Sequence, residues 1–222
     1  MNTPLTIDVL SDVVCPWCLI GKRRLEQALQ TYAQRYPDRP APLVRWHPFQ
    51  LNPDMPESGM SRADYVQQKF GDRASTVYDR VKAVGRTLDI AFAIDTIARQ
   101  PNTAAAHSLI GLAEVGAQQQ RLVEALFCAY FLQGVDLTQR SELERLALEA
   151  GLSGDEVRAC LDSEDARAQV RASDVRARQM GVQGVPFFIF NNQVGVSGAH
   201  EPETLLQAME QSLAPPQETA NA

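Results

Sequence analysis

Two cysteines three positions apart, Cys15 and Cys18, stand between an apolar, β-branched run and a helical pattern. Leu5 to Ser11 reads as a buried strand, and the residues after Cys18 read as a helix, so the path predicted is strand, short loop, helix starting at the first cysteine. Pro16 then falls at the first helical position, where its missing N–H costs nothing and its fixed φ suits the turn. Cys15 sits at the helix N-terminus, where unpaired N–H groups and the helix dipole favour a negative charge, and a thiolate is such a charge. Cys18 lies about one turn on, near enough to attack a mixed disulfide at Cys15 and release the product. This is the chemistry of a dithiol oxidoreductase.

Two plainer readings compete with it: half of a zinc site, and a pair of inert buried cysteines. A four-ligand zinc site would want a second C-x-x-C or an H-x-x-x-H. Cys128, Cys160, His47, His107 and His200 are all isolated in the sequence, so no metal is expected. Cys128, beside Phe127 and Phe131, reads as a small buried hydrophobe, and Cys160 lies on a more polar helix.

The net charge of -6 argues against nucleic acid or an anionic membrane surface as a main partner, because both need clustered Lys and Arg. No apolar run approaches the roughly 18 residues of a membrane-spanning helix. Met1-Asn2-Thr3-Pro4 shows no basic region or apolar segment of a secretory leader, so for an unprocessed chain the expected compartment is the cytoplasm. In a reducing compartment structural disulfides are rare, and C-x-x-C reads as catalytic.

Along the chain, Leu25, Leu29, Tyr32 and Tyr36 mark one face of a long helix that Pro37 ends, and Leu43 to Trp46 reads as a second strand, stopped by Pro48. Strand, helix, strand of this length is a βαβ unit with parallel strands. From about Met60 to Met180 helical spacing prevails: six helices are expected and no strand. Ser61 with Asp64, Ser141 with Glu144 and Ser153 with Glu156 mark helix starts, and Gly134 and Gly151 mark stops. Val185 to Phe190, a turn at Asn191-Asn192, and Val194 to Val196 make a β-hairpin, followed by a helix carrying Leu205, Leu206, Met209 and Leu213. The expected class is α/β: a thioredoxin fold, βαβ then ββα around a four-stranded mixed sheet, with a large all-helical insertion. The expected parts are residues 1–55 and 181–213 for the thioredoxin-like domain, 56–180 for the insertion and 214–222 for a flexible tail.

Ser11-Asp12-Val13-Val14-Cys15-Pro16-Trp17-Cys18 closely resembles the active-site segment of the FrnE-like branch of the DsbA family. Pro48-Phe49-Gln50-Leu51-Asn52-Pro53, Asn102-Thr103 with Ala106-His107, Gly184-Val185-Pro186-Phe187-Phe188 and Ser197-Gly198-Ala199 resemble its other landmarks, in the same order. The resemblance implies thiol–disulfide oxidoreductase activity on protein, peptide or small-molecule disulfides, with Cys15 attacking and Cys18 resolving. It implies that Val185-Pro186 is the cis-proline loop facing the cysteines, where the Val185 backbone pairs with incoming peptide. It also brings Asn102, His107, Ser197, Gly198 and His200 to the substrate side, with Pro16, Trp17 and Asp12 in support. Asp12 reads either as a proton relay to Cys18 or, more plainly, as a polar residue shaping the turn; His107 reads either as a polar group of the insertion facing the cysteines or as a satisfied core histidine. Trp17 stands where the periplasmic members have histidine, and indole offers only an N–H donor, so a couple less oxidising than about -120 mV is expected. The cysteine-rich C-terminal pair of some FrnE-like proteins has no counterpart. The 2-hydroxychromene-2-carboxylate isomerases and kappa-class glutathione transferases share the architecture but use a serine on glutathione, so the paired cysteines count against that reading. A non-catalytic peptide-binding or chaperone-like module is the third reading. No bound cofactor is expected; glutathione is the candidate redox partner or co-substrate, and monomer and homodimer both stay open.

Overall fold

Every side chain from Ile7 to Ser11 is buried in strand β1 (Thr6–Ser11), as expected of a strand covered on both faces. The computed structural model describes residues 4–213; the expected tail at 214–222 lies outside them. Helix α1 (Pro16–Arg35) follows a short loop, with Pro16 in its first turn and Leu25, Ala28 and Tyr32 on its buried face. Strand β2 (Leu43–Pro48) returns parallel to β1, with Thr6 opposite Leu43 and Ser11 opposite Pro48. Pro48 is tolerated because β2 is an edge strand and Pro48 ends it.

The long helical stretch departs from expectation in two ways. It opens with a two-residue strand, β3 (Met60–Ser61), which pairs antiparallel with a second one, β4 (Arg99–Gln100). Pieces this short carry no periodic pattern to read. Between them lie α2 (Arg62–Phe70) and α3 (Ala74–Arg86), separated by a single 3-10 turn. After β4 come α4 (Ala104–Leu112), α5 (Ala117–Gln133), α6 (Arg140–Glu149), α7 (Gly154–Asp162) and α8 (Glu164–Gln179). That makes seven α-helices from residue 60 to 180, not six. The Ser61 hydroxyl accepts the Asp64 N–H and caps α2. Ser141 does not cap α6, which starts one residue earlier; the entry turn is held instead by Asp136, whose carboxylate accepts the Thr138 N–H and hydroxyl. Ser153 stands at the N-cap of α7 without a capping bond. Gly134 ends α5 at φ 68, a left-handed position where a side chain would be strained.

Strands β5 (Phe187–Phe190) and β6 (Val194–Ser197) form the hairpin, with Asn191 and Asn192 at positive φ in the turn. The sheet order is β2-β1-β5-β6, with β5 antiparallel to β1. Helix α9 (Pro202–Gln211) packs on α1, burying Leu205, Leu206 and Met209. One hydrophobic cluster runs from Ile7, Val9 and Phe188 of the sheet through Cys18 and Leu25 of α1 to Leu126, Phe127 and Leu146 of the helices. The chain is a thioredoxin-fold core with a large helical insertion, and the two share a core. The start of α1 lies inside that shared packing.

Candidate active site

Cys15 is the N-cap of α1 with extended backbone, and Pro16 begins the first turn. Its N–H donates to the Asp12 carbonyl at 3.0 Å, and its own carbonyl accepts the Cys18 N–H at 3.0 Å. Its Sγ donates to the Val185 carbonyl at 3.5 Å, and the Val185-Pro186 peptide is cis. Cys15 keeps 4% exposure and Cys18 has none. Burial pushes the Cys18 thiol well up, and the adjacent Cys15 sulfur adds to this; the Ser11 hydroxyl and the Asp12 N–H act the other way. The two sulfurs are thus unequal. One is at the helix end and touches the cis-proline loop; the other is sealed and held as a thiol.

The loop between β1 and α1 is built around Asp12, which is fully buried. Its carboxylate accepts the Leu51 N–H at 2.7 Å and, more weakly, the Val14 N–H at 3.5 Å. The neighbouring Phe49 and Gln50 are held in turn by the insertion. On α8, Asp174 accepts the Gln50 N–H at 2.8 Å, and Arg178 donates to the Gln50 carbonyl at 2.6 Å while its guanidinium lies 4.3 Å from the centre of the Phe49 ring. The Phe49-Gln50-Leu51 segment therefore ties edge strand, insertion and active-site loop together.

The other expected site residues fall in different places. Trp17 is partly buried, and Arg80 of α3 lies 5.8 Å from its ring centre. The Gly198 N–H donates to the Pro186 carbonyl at 2.8 Å, so Ser197-Gly198 backs the cis-proline loop with its main chain. His200 is exposed, and its Nε2 bonds the Ser197 carbonyl at 2.9 Å rather than a group at the cysteines. Asn102 is spent on structure: its Nδ2 donates to the Met55 carbonyl at 2.6 Å and its Oδ1 accepts the Ala104 N–H at 2.8 Å, which starts α4. Each end of the amide thus makes one bond within the protein. His107 is 3% exposed and presents Nε2 to Asp12 Oδ1 at 3.4 Å. That separation qualifies as an ion-pair distance, yet Nε2 has no hydrogen-bond partner in the protein, because the contact lies off the required line. His107 therefore faces Asp12 beneath the loop.

Nothing in the sequence marks Gly21. A Cβ there would stand 2.8 Å from Pro186 Cγ and 3.2 Å from the Phe188 ring, so the bare α-carbon is what lets α1 seat against the proline loop. Ser11, Asp174 and Arg178 are not legible in the sequence for a simpler reason: single polar residues in ordinary surroundings carry no motif.

All four cysteines are free. Cys128 donates to Glu124 at 3.1 Å; burial and that carboxylate push its thiol up to about 11. Burial also raises the Cys160 thiol. Among the described residues no group of three or more His, Cys, Asp or Glu side chains could hold a metal, and no helix is long and apolar enough to cross a membrane.

Fold and paired thiols together define a thioredoxin-fold protein of thiol–disulfide chemistry. The family model of the DSBA-like thioredoxin domain matches residues 6–210, and the chain belongs to that family. It is 30% identical to a probable DsbA oxidoreductase from Streptomyces coelicolor, with a TM-score of 0.83 over 98% of this chain and 94% of that one. Its fold is also similar to a 2-hydroxychromene-2-carboxylate isomerase, at 16% identity and a TM-score of 0.70 over 93% and 95% of the two chains. The cytosolic disulfide reductase DsbM from Pseudomonas aeruginosa, in a structure with glutathione, shares 18% identity at a TM-score of 0.59 over 93% and 95%. The last two likenesses speak for the fold. General thiol–disulfide oxidoreductase chemistry follows from the family.

Proposed function

We propose that the protein is a dithiol–disulfide oxidoreductase acting on protein, peptide or small-molecule disulfides through Cys15-Pro16-Trp17-Cys18, of the FrnE-like branch of its family. The observation that carries this is the inequality of the two sulfurs. Cys15, at the end of α1 and 3.5 Å from the Val185 carbonyl, is placed to attack. Cys18, fully buried and held as a thiol, is placed to resolve the mixed disulfide from inside. Val185 is the backbone position at which an extended substrate pairs, and Pro186 and the main chain of Ser197-Gly198 shape that edge. Asp12 holds the loop.

Glutathione is the proposed small-molecule partner, a reading supported by the fold-level likeness to a reductase whose structure contains it. The isomerase or transferase alternative gains the likeness to the 2-hydroxychromene-2-carboxylate isomerase, but retention of both Cys15 and Cys18 weighs for dithiol exchange.

The test is trapping. Cys18→Ser should accumulate a mixed disulfide at Cys15 with a disulfide-bearing peptide, while Cys15→Ser should form none and lose turnover. Adducts in Cys15→Ser and none in Cys18→Ser would reverse the roles.

A further inference from the structure

Arg80 of α3 is exposed, and its guanidinium lies over the ring of Trp17, the residue that stands between the two cysteines in the chain, at 5.8 Å from the ring centre. Among the described residues it takes part in no ion pair, whereas Arg140, Arg145, Arg158 and Arg171 of the insertion each hold a carboxylate. The side chains one helical turn away from it, Thr76, Val77, Ala83 and Val84, are neutral, and the adjacent Asp79 stands on another face of α3. A guanidinium held against an indole keeps N–H donors for a second partner, and their fork fits a carboxylate.

Trp17 borders the edge where substrate pairs. Trp17, Gly21 and Arg24 fall at i, i+4 and i+7, one face of α1. Gly21 seats against Pro186, and Arg24 donates to the Ala199 carbonyl and to Glu201. Trp17 carries that face one turn past the proline loop, toward the end of the helix where Cys15 stands with its Sγ 3.5 Å from the Val185 carbonyl. Arg80 therefore stands beside the line along which a substrate paired with Val185 extends. We infer that Arg80 is a specificity residue that binds a carboxylate lying next to the substrate's disulfide, so that the protein prefers acidic disulfides.

This deepens the proposed dithiol mechanism and rests on it. In the attack, the Cys15 thiolate forms a bond to one substrate sulfur, the substrate S–S bond breaks, and the other sulfur leaves as a thiolate that takes a proton from water. Arg80 takes no part in that exchange; it holds the carboxylate while the sulfurs meet. Other charged and polar side chains at this end of the molecule are engaged within the protein: Arg24 with Glu201, His200 with the Ser197 carbonyl, and Asp12 with the Leu51 N–H. The chain carries a net charge of -6, so an acidic substrate meets overall repulsion unless a local cation receives it.

The experiment reads the rate of adduct formation at Cys15 in the full chain carrying Cys18→Ser, by mass, with two pairs of disulfides. One pair is a peptide disulfide with Asp beside each cysteine and its Asn counterpart; the other is glutathione disulfide and its glycyl ethyl ester. At low salt the acidic member of a pair should react about three- to fivefold faster, the size of an exposed ion pair, and the preference should fade at high salt. Adding Arg80→Gln should bring that ratio to about one, and Arg80→Lys should keep part of it. A preference confined to the glutathione pair assigns the carboxylate to glutathione, and one confined to the peptide pair assigns it to a polypeptide. No preference in either pair, or a preference of the same size with Arg80→Gln, would overturn the inference. If Cys18→Ser traps no adduct with any of the four, the dithiol reading itself falls, an outcome separable from loss of the preference alone.

Discussion

Glu124→Gln should destabilise the protein by about 2 kcal/mol at neutral pH and lose that effect in acid. Glu124 stands on α5 against α1, 2.6 Å from Lys22 Nζ, whose side chain is only 5% exposed. Arg23 donates to the same carboxylate at 2.9 Å, and Glu26 shares both cations. Burial alone would raise the Glu124 carboxyl, but hydrogen bonds from Arg23 and Lys22 outweigh it and bring it down to about 2. Against an ordinary glutamate near 4.3, the drop is equivalent to about 3 kcal/mol at ~1.4 kcal/mol per pH unit. The Glu124 side chain is 32% exposed, so screening by solvent reduces this to about 2 kcal/mol. The folded-state value is depressed, so the contribution is complete above about pH 4.3 and disappears as pH falls toward 2. Urea unfolding of both proteins at pH 7 and pH 2.5 measures it directly. For a chain of this length the neutral-pH loss corresponds to about 4–8 °C in Tm. The substitution should also bring the Cys128 thiol back from about 11 toward the ordinary range, since Glu124 is its second cause after burial. Faster alkylation of Cys128 at pH 8.5 would show it. A neutral-pH difference below about 0.5 kcal/mol, or one that does not shrink in acid, would refute the reasoning.

Gly21→Ala should lower stability and slow turnover together. Alanine normally gains about 1 kcal/mol over glycine inside a helix, but here its Cβ meets Pro186 Cγ at 2.8 Å, so a stabilised and fully active variant would show that the proline loop yields freely. Replacing Cys128 and Cys160 together by Ala should leave the redox midpoint within about 10 mV of the parent, less than a threefold change in equilibrium constant; a larger shift would mean that one of them exchanges with the active-site pair.

What the sequence makes legible is local. Pro16 and the Leu25, Leu29, Tyr32 face announce α1, and Asn191-Asn192 announces the hairpin, because each signal lies within a few residues of what it specifies. The paired cysteines are read in the same way, as neighbours one turn apart. The support of the site is not local. Asp12 meets Leu51 and His107, and Gln50 meets Asp174, across separations that no spacing rule covers. Asn102 shows the converse: it stands among landmark residues, yet its amide serves a turn and a helix start. The paired strands β3 and β4 are two residues each, too short for alternation to register. Ser141 fits the capping pattern while Asp136 sets the turn, a choice made by side-chain bonds rather than by pattern.

The central claim is that Cys15 and Cys18 form one reversible dithiol–disulfide couple. A midpoint titration in glutathione buffers, read by alkylation of free thiols and mass, tests it most directly. The expected result is a single two-electron transition confined to Cys15 and Cys18, with a tenfold change in equilibrium constant for each ~30 mV, lying below the about -120 mV of the most oxidising relatives. Absence of any reversible transition across the glutathione range, with both thiols modified independently, would contradict it and leave a binding module.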